Sequence, residues 1–202
     1  SAYAQKIQMR DGRILPGRIL LMTGVADAPV PPAPDKNEEA KATPILLIDD
    51  ELRRVFVPRA NVAAIIDAAP ENLANIKLWQ KAAKSGNAVA SVGPSLGISR
   101  FDEFGRRIYE MQTSRGPLAI VQGITELTPR YAKVEGLLGR PDAVVWDMRI
   151  ATSSIPKETL AMILDKAVSH DDPQDWLEVV RFYLQAERYG EASQELEAII
   201  KA

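Results

Sequence analysis

Few side chains in this sequence are able to do covalent chemistry. Cysteine is absent and His170 is the only histidine, which removes thiol nucleophiles, disulfides, thiolate metal sites and iron–sulfur clusters and leaves a single imidazole as a general base. That imidazole stands in Ser169-His170-Asp171-Asp172, between two predicted helices, a linker position and not the wall of a pocket. The acidic clusters Asp49-Asp50-Glu51 and Asp102-Glu103 carry the paired carboxylates that calcium binding or glycoside hydrolysis uses. The first lacks the alternating acids and the glycine of an EF-hand loop, and both fall at predicted turns, where solvated acids are ordinary. In Gly93-Pro94-Ser95-Leu96-Gly97 a serine is flanked by glycines, but Pro94 and the lack of a following helix remove the nucleophile-elbow geometry, and the segment reads as a loop. The remaining glycines form no phosphate-cradling pattern. No catalytic residue, metal or cofactor is assigned, and a hydrolase with two carboxylates drawn from separate segments is the last-ranked reading.

Binding chemistry is better represented. Arg100, Arg106, Arg107, Arg115, Arg130, Arg140 and Arg149 share the region 98–152 with Phe101, Phe104, Tyr109, Tyr131 and Trp146. Guanidinium planes and rings on one face can stack on and hydrogen-bond to a polyanion, a sugar or a protein. The competing explanation is that arginine alternates with apolar residues because it faces water, with Arg106-Arg107 pairing to Asp102-Glu103 across a hairpin. The candidate binding residues are Arg106, Arg107, Tyr109, Arg130, Tyr131 and Trp146, with Tyr183 in the C-terminal helical region.

The chain has 202 residues, 46% of them apolar, and a formal charge of −2. A sizeable core is therefore expected, and a binding mode dominated by phosphate is not, so no nucleic-acid partner is expected. No run reaches the roughly 18 apolar residues of a membrane-spanning helix. Ala2-Tyr3-Ala4 before Gln5 has the small-any-small pattern that signal peptidases cut after, which fits the end of a removed export signal as well as it fits a frayed terminus.

The elements that must position these residues give an α+β fold. Residues 5–69 read as short strands, with Asp11-Gly12 as a hairpin turn and Pro16-Gly17 as a bend. The Pro-rich, charged stretch 26–44 reads as a mobile excursion. Leu73, Ile76, Trp79 and Ala83 recur at helical spacing behind Pro70 and before Gly86, which predicts a linking helix over 70–86 with Trp79 in the core. Strand signals return over 87–153, read as a separate antiparallel module. A helix opens near Ser154 and Pro156, with Ser154 as its cap, and Asp172-Pro173 starts another.

Residues 5–66 resemble small SH3-like or Sm-like barrels, in which a strand, a glycine-containing turn and a strand open a strongly bent five-stranded sheet. Residues 173–202 resemble a tetratricopeptide hairpin, through Trp176, Val179 and Tyr183 on the first helix, Tyr189-Gly190 at the turn, and Ala192 and Leu196 on the second. Val180 departs from the family's glycine and Leu196 from its frequent Phe. The whole resembles exported repeat-containing bacterial proteins whose helical arrays bind other proteins. These resemblances imply a non-enzymatic interaction scaffold, the N-terminal part of a longer chain. Its partner would be another protein, further repeats, or a second copy held through the C-terminal helices, whose outer flank one hairpin cannot cover. A carbohydrate- or cell-envelope-binding module using the aromatic and arginine face is the alternative.

Overall fold

The computed structural model describes residues 4–20, 45–68, 72–88, 93–139, 143–169 and 172–201. The Pro-rich stretch, Arg140 and His170 lie outside the described residues. The chain divides into two compact units, residues 1–72 and 73–202.

In the first unit β1 (Ala4–Met9), β2 (Ile14–Leu20), β3 (Ile45–Asp49), β4 (Arg54–Pro58) and β5 (Val62–Ala68) form one antiparallel sheet in the order β4-β3-β2-β1-β5. Asp11-Gly12 makes the first hairpin as its composition predicts. Gly12 takes a positive φ of 87°, which costs a residue without Cβ little, and the Asp11 carboxylate accepts from the backbone N–H and Nε of Arg13. Alternate residues point inward, so Ile7, Met9, Ile48 and Val57 are buried with Leu15, Ile19, Val55 and Val62 packed around them. Burial of each such side chain contributes about 1.5–3 kcal/mol relative to leaving it exposed. A 3-10 turn, Arg59–Asn61, joins β4 to β5. Among the described residues the two ends of the sheet, β4 and β5, do not pair, so the sheet is open where a closed barrel was expected.

The second unit contains β6 (Ile76–Lys77), β7 (Asn87–Ala88), β8 (Ser95–Ile98), β9 (Arg106–Thr113), β10 (Gly116–Leu127), β11 (Tyr131–Gly136), β12 (Val144–Val145), β13 (Asp147–Ala151), α1 (Lys157–Ala167), α2 (Pro173–Gln185) and α3 (Tyr189–Lys201). Its main sheet runs β13-β11-β10-β9-β8, with β6 also on β10 and with β7 and β12 as a separate parallel pair. Residues opposite one another in an antiparallel ladder share a face. Ile120 lies opposite Tyr109, Ile124 opposite Val134, and Val134 opposite Met148, which makes one long apolar face. At one end of it Tyr109, Met111, Ile120 and Val144 cluster with Leu118 and Trp146. At the other, Ile124, Leu127, Ala132 and Val134 pack with Leu160, Ile163 and Leu164 of α1 and with Val179, Val180, Phe182 and Tyr183 of α2.

Four expectations are corrected. Residues 72–88 form no helix. Ala74, Ile76 and Ala83 are buried, Leu78, Gln80 and Ala82 half-buried, and Asn75, Lys77, Trp79 and Lys81 exposed. From Ala74 to Ala82 the operative period is thus two, and the helical spacing of Leu73, Ile76, Trp79 and Ala83 was coincidental. Extension wins because the β10 edge offers pairing: Ile76 and Lys77 lie opposite Leu127 and Glu126, and Leu78 N–H donates to Thr125 O. Helices α1 and α2 pack on the sheet and complete its core. Ser95 to Ile98 is a strand and not a loop. Ser154 does not cap α1; it ends a 3-10 turn, Thr152–Ser154, and its hydroxyl donates to Ala151 O. The α2–α3 turn also falls one step earlier than Tyr189-Gly190, with Glu187 at a φ of 58°. Asp172 caps α2 as its type predicts, accepting from Gln174 N–H at 2.8 Å, with Pro173 in the first turn.

Candidate functional site

The same period-two pattern that carries Ile76 and Leu78 inward turns Trp79 outward, where its side chain is 99% exposed. Indoles are buried to a large extent on average. Among the described residues of the second unit, Trp79 is therefore the strongest departure from ordinary burial. It stands at a crevice of about 140 Å³ lined by Leu78, Gln80, Glu103, Phe104, Arg106, Ile163, Lys166 and Ala167. Three elements meet there: the extended segment after β6, the turn before β9, and the last turns of α1.

Local chemistry holds the turn in place. The Asp102 carboxylate accepts from the backbone N–H groups of Phe104 and Arg106, and Gly105 takes a φ of 72° with its α-carbon against Leu78 and Ile124, where a Cβ would be crowded. Gln80 ties the extended segment to the turn: its Nε2 donates to Phe104 O at 2.6 Å and its Oε1 accepts from Arg106 Nε at 2.9 Å. The Arg106 guanidinium lies 5.6 Å from the centre of the Phe104 ring, within cation–π range. Phe104 remains half exposed. The floor is Leu78, Ile163 and Ala167, and the rim carries two cations, Arg106 and Lys166, against one carboxylate, Glu103. Neither cation has a carboxylate partner among the described residues.

Of the residues nominated from the sequence, only Arg106 reaches this crevice. Arg107 projects to the opposite face, where it stacks 4.5 Å from the Phe101 ring, donates to Gln122 Oε1 at 2.8 Å and lies near Met148 Sδ. Burial lowers its pKa, with the Tyr109 phenol opposing. Tyr109 is buried against Trp146, ring centres 5.4 Å apart. Tyr131 is buried on the other sheet face beneath the Arg149 guanidinium, and its hydroxyl donates to Glu126 Oε1. Arg130 is exposed at the β10–β11 turn, and Tyr183 is 1% exposed in the core between sheet and helices. These residues do not form one surface. Arg106, Arg107 and Arg149 alternate with rings because they lie over Phe104, Phe101 and Tyr131, and Trp79, the most exposed ring among the described residues, is masked in the sequence by its chance helical spacing.

The acidic clusters are turn chemistry. Asp49 accepts from Glu51 N–H and pairs with Arg54 and Arg18, and Asp50 accepts from the backbone and Nε of Arg53. Among the described residues no group of three metal-ligating side chains converges, and no helix is long and apolar enough to cross a membrane.

A second surface lies on the α2–α3 pair. Helix α2 buries Val179, Val180, Phe182 and Tyr183 and leaves Leu177 and Leu184 exposed; helix α3 buries Ala192 and leaves Tyr189, Leu196 and Ile200 exposed. Across the pair, Trp176 Nε1–H donates to Glu195 Oε2. No known protein family, curated protein or solved structure matches this chain.

Proposed function

We propose that this chain is a non-enzymatic protein-interaction scaffold that docks its partner on the outer face of α2–α3, with an SH3-like first unit and a tetratricopeptide-like helical pair. The observation that carries this reading is that Leu177 and Leu184 of α2 and Tyr189, Leu196 and Ile200 of α3 are all exposed on helices that also bury residues in a core. The SH3-like part is supported by the strand order β4-β3-β2-β1-β5 and the 3-10 turn between β4 and β5. The tetratricopeptide-like part is supported by the inward placement of Val179, Tyr183 and Ala192. In a repeat array such a flank is covered by the next repeat or by a bound protein. A second copy of this chain satisfies the same surface.

Photo-crosslinking tests it. A benzophenone amino acid at position 196, in cells that make the protein, gives a discrete adduct with a second polypeptide, and Leu184→Glu abolishes that adduct without lowering the melting temperature. If position 196 yields no adduct, or one that survives Leu184→Glu, the reading is withdrawn.

A further inference from the structure

We infer that the Trp79 crevice is a separate binding site for a short acidic peptide segment that inserts one bulky apolar side chain. Its occupant follows from size, polarity and charge, independently of the helical face. An apolar-lined void of roughly 150 Å³ takes a benzene-sized guest, and this crevice offers about 140 Å³ over Leu78, Phe104, Ile163 and Ala167, which fits one aromatic or branched aliphatic side chain.

Polarity selects the kind of guest. Gln80 Nε2 already donates one N–H to Phe104 O and its Oε1 already accepts from Arg106 Nε, which leaves that amide one N–H and one lone pair for a guest. A sugar ring seated over Leu78, Ile163 and Ala167 would leave the hydroxyl groups that face them without partners, a loss comparable to an unmade hydrogen bond for each. An apolar side chain needs none.

Charge selects what surrounds that side chain. Arg106 and Lys166 outnumber Glu103 at the rim, and neither cation is paired with a carboxylate among the described residues. Carboxylates flanking the inserted side chain complement them and speed encounter. Trp79, fully open at the edge, supplies a flat apolar surface and an indole N–H for a peptide carbonyl, the combination that makes tryptophan frequent among the residues dominating binding.

A random dodecapeptide library displayed on phage and selected on the full chain tests this. The expected peptides carry Phe, Leu or Ile within two or three positions of Asp or Glu. Synthetic copies, measured by fluorescence polarisation, bind at least about tenfold more weakly to Trp79→Ala and to the Arg106→Glu/Lys166→Glu chain, and more weakly as salt rises. Ala167→Phe, which fills the crevice and leaves every rim charge in place, abolishes binding. The melting temperature of Trp79→Ala stays close to that of the parent, because that side chain is exposed, and Lys166→Glu alone, which leaves the Arg106–Gln80 bond in place, keeps the fold while still weakening binding. Selected peptides that are neutral or basic, peptides that bind parent and variants alike, a library yielding no peptide that distinguishes them, or chitotetraose shifting the tryptophan emission where peptides do not, each overturns the proposal.

Discussion

Arg107 donates its Nε–H to Gln122 Oε1 at 2.8 Å, and that bond decides which way a fully buried amide points. A guanidinium only donates, so the oxygen of Gln122 must face it and Nε2 must face the other way. There, among the described residues, Nε2 has no acceptor, and neither does the buried indole N–H of Trp146. A polar layer thus separates the two apolar clusters on one face of the sheet, satisfied on the arginine side and unsatisfied on the other.

Arg107→Met is expected to cost about 1–3 kcal/mol, because it strips the donor from a buried carbonyl. Gln122→Met removes an unpaired N–H and leaves a guanidinium that can turn to water, so its cost stays within about 1 kcal/mol. The double variant recovers most of what Arg107→Met loses. Urea denaturation of the parent and the three variants gives the coupling; single effects that simply add would show that the bond does not determine the amide's orientation.

Burial pushes the Tyr183 phenol from 10.0 up to about 12, with the Glu195 and Glu191 carboxylates adding to the shift and Arg188 opposing it. The folded state therefore holds this proton more tightly than the unfolded state. The resulting stability is complete below about pH 10 and is lost as pH rises from about 10 through 12, up to roughly 2–3 kcal/mol. The gap in urea midpoint between the parent and Tyr183→Phe should shift against the parent over that window. A gap that stays constant from pH 8 to 11.5 contradicts the assignment.

For Glu135, burial raises the pKa, but the Thr125 hydroxyl and the Lys133 ammonium outweigh it and leave the carboxyl below its ordinary 4.5. Lys133 Nζ lies 3.0 Å from Glu135 and 3.5 Å from Asp147. A depressed carboxylate stabilises the fold above its unfolded pKa and loses that contribution as pH falls through the folded value. Because these side chains are partly exposed, Glu135→Gln is expected to cost only about 1 kcal/mol at pH 7, with the difference closing below about pH 4. Thermal melts of both proteins at pH 7, 5 and 3 measure it, and a cost that persists at pH 3 rules out the carboxylate as its source.

What the sequence made legible was punctuation and composition. Asp11-Gly12, Asp172-Pro173 and the turn signals between residues 105 and 130 mark element ends because local backbone chemistry acts there whatever the tertiary context. Residues 72–88 depart from the helical expectation because four apolar residues fit a helical spacing while the decisive force, an open edge on β10, lies about fifty positions away. The candidate site was hidden for the same reason. Trp79 is open only because its segment is extended, and Arg106 joins it only because Gln80 bridges two loops. The exposed flank of α2–α3, by contrast, could be anticipated from Leu196 and Ile200, since helical phase is a local property.

Gly136 is a position where the second unit has no room for a side chain. It sits between β10 and β12, opposite Gln122 in register, and its N–H donates to Trp146 O. A Cβ there would stand 2.2 Å from Val144 O and 3.2 Å from the Trp146 Cβ. The first of these atoms is backbone, so no rotamer change relieves the contact, and a strand must move. That strand carries Val144 into the cluster with Tyr109, Met111 and Ile120, so the displacement opens a packed core. Gly136→Ala is therefore expected to cost about 3 kcal/mol or more and to expose Trp146, shifting tryptophan emission to the red. Gly190→Ala, where a Cβ meets nothing within 4 Å inside α3, should instead stabilise by about 0.5–1 kcal/mol. Equal melting temperatures for the two variants would show that β12 is free to move and that the close approach at Gly136 does not hold the sheet together.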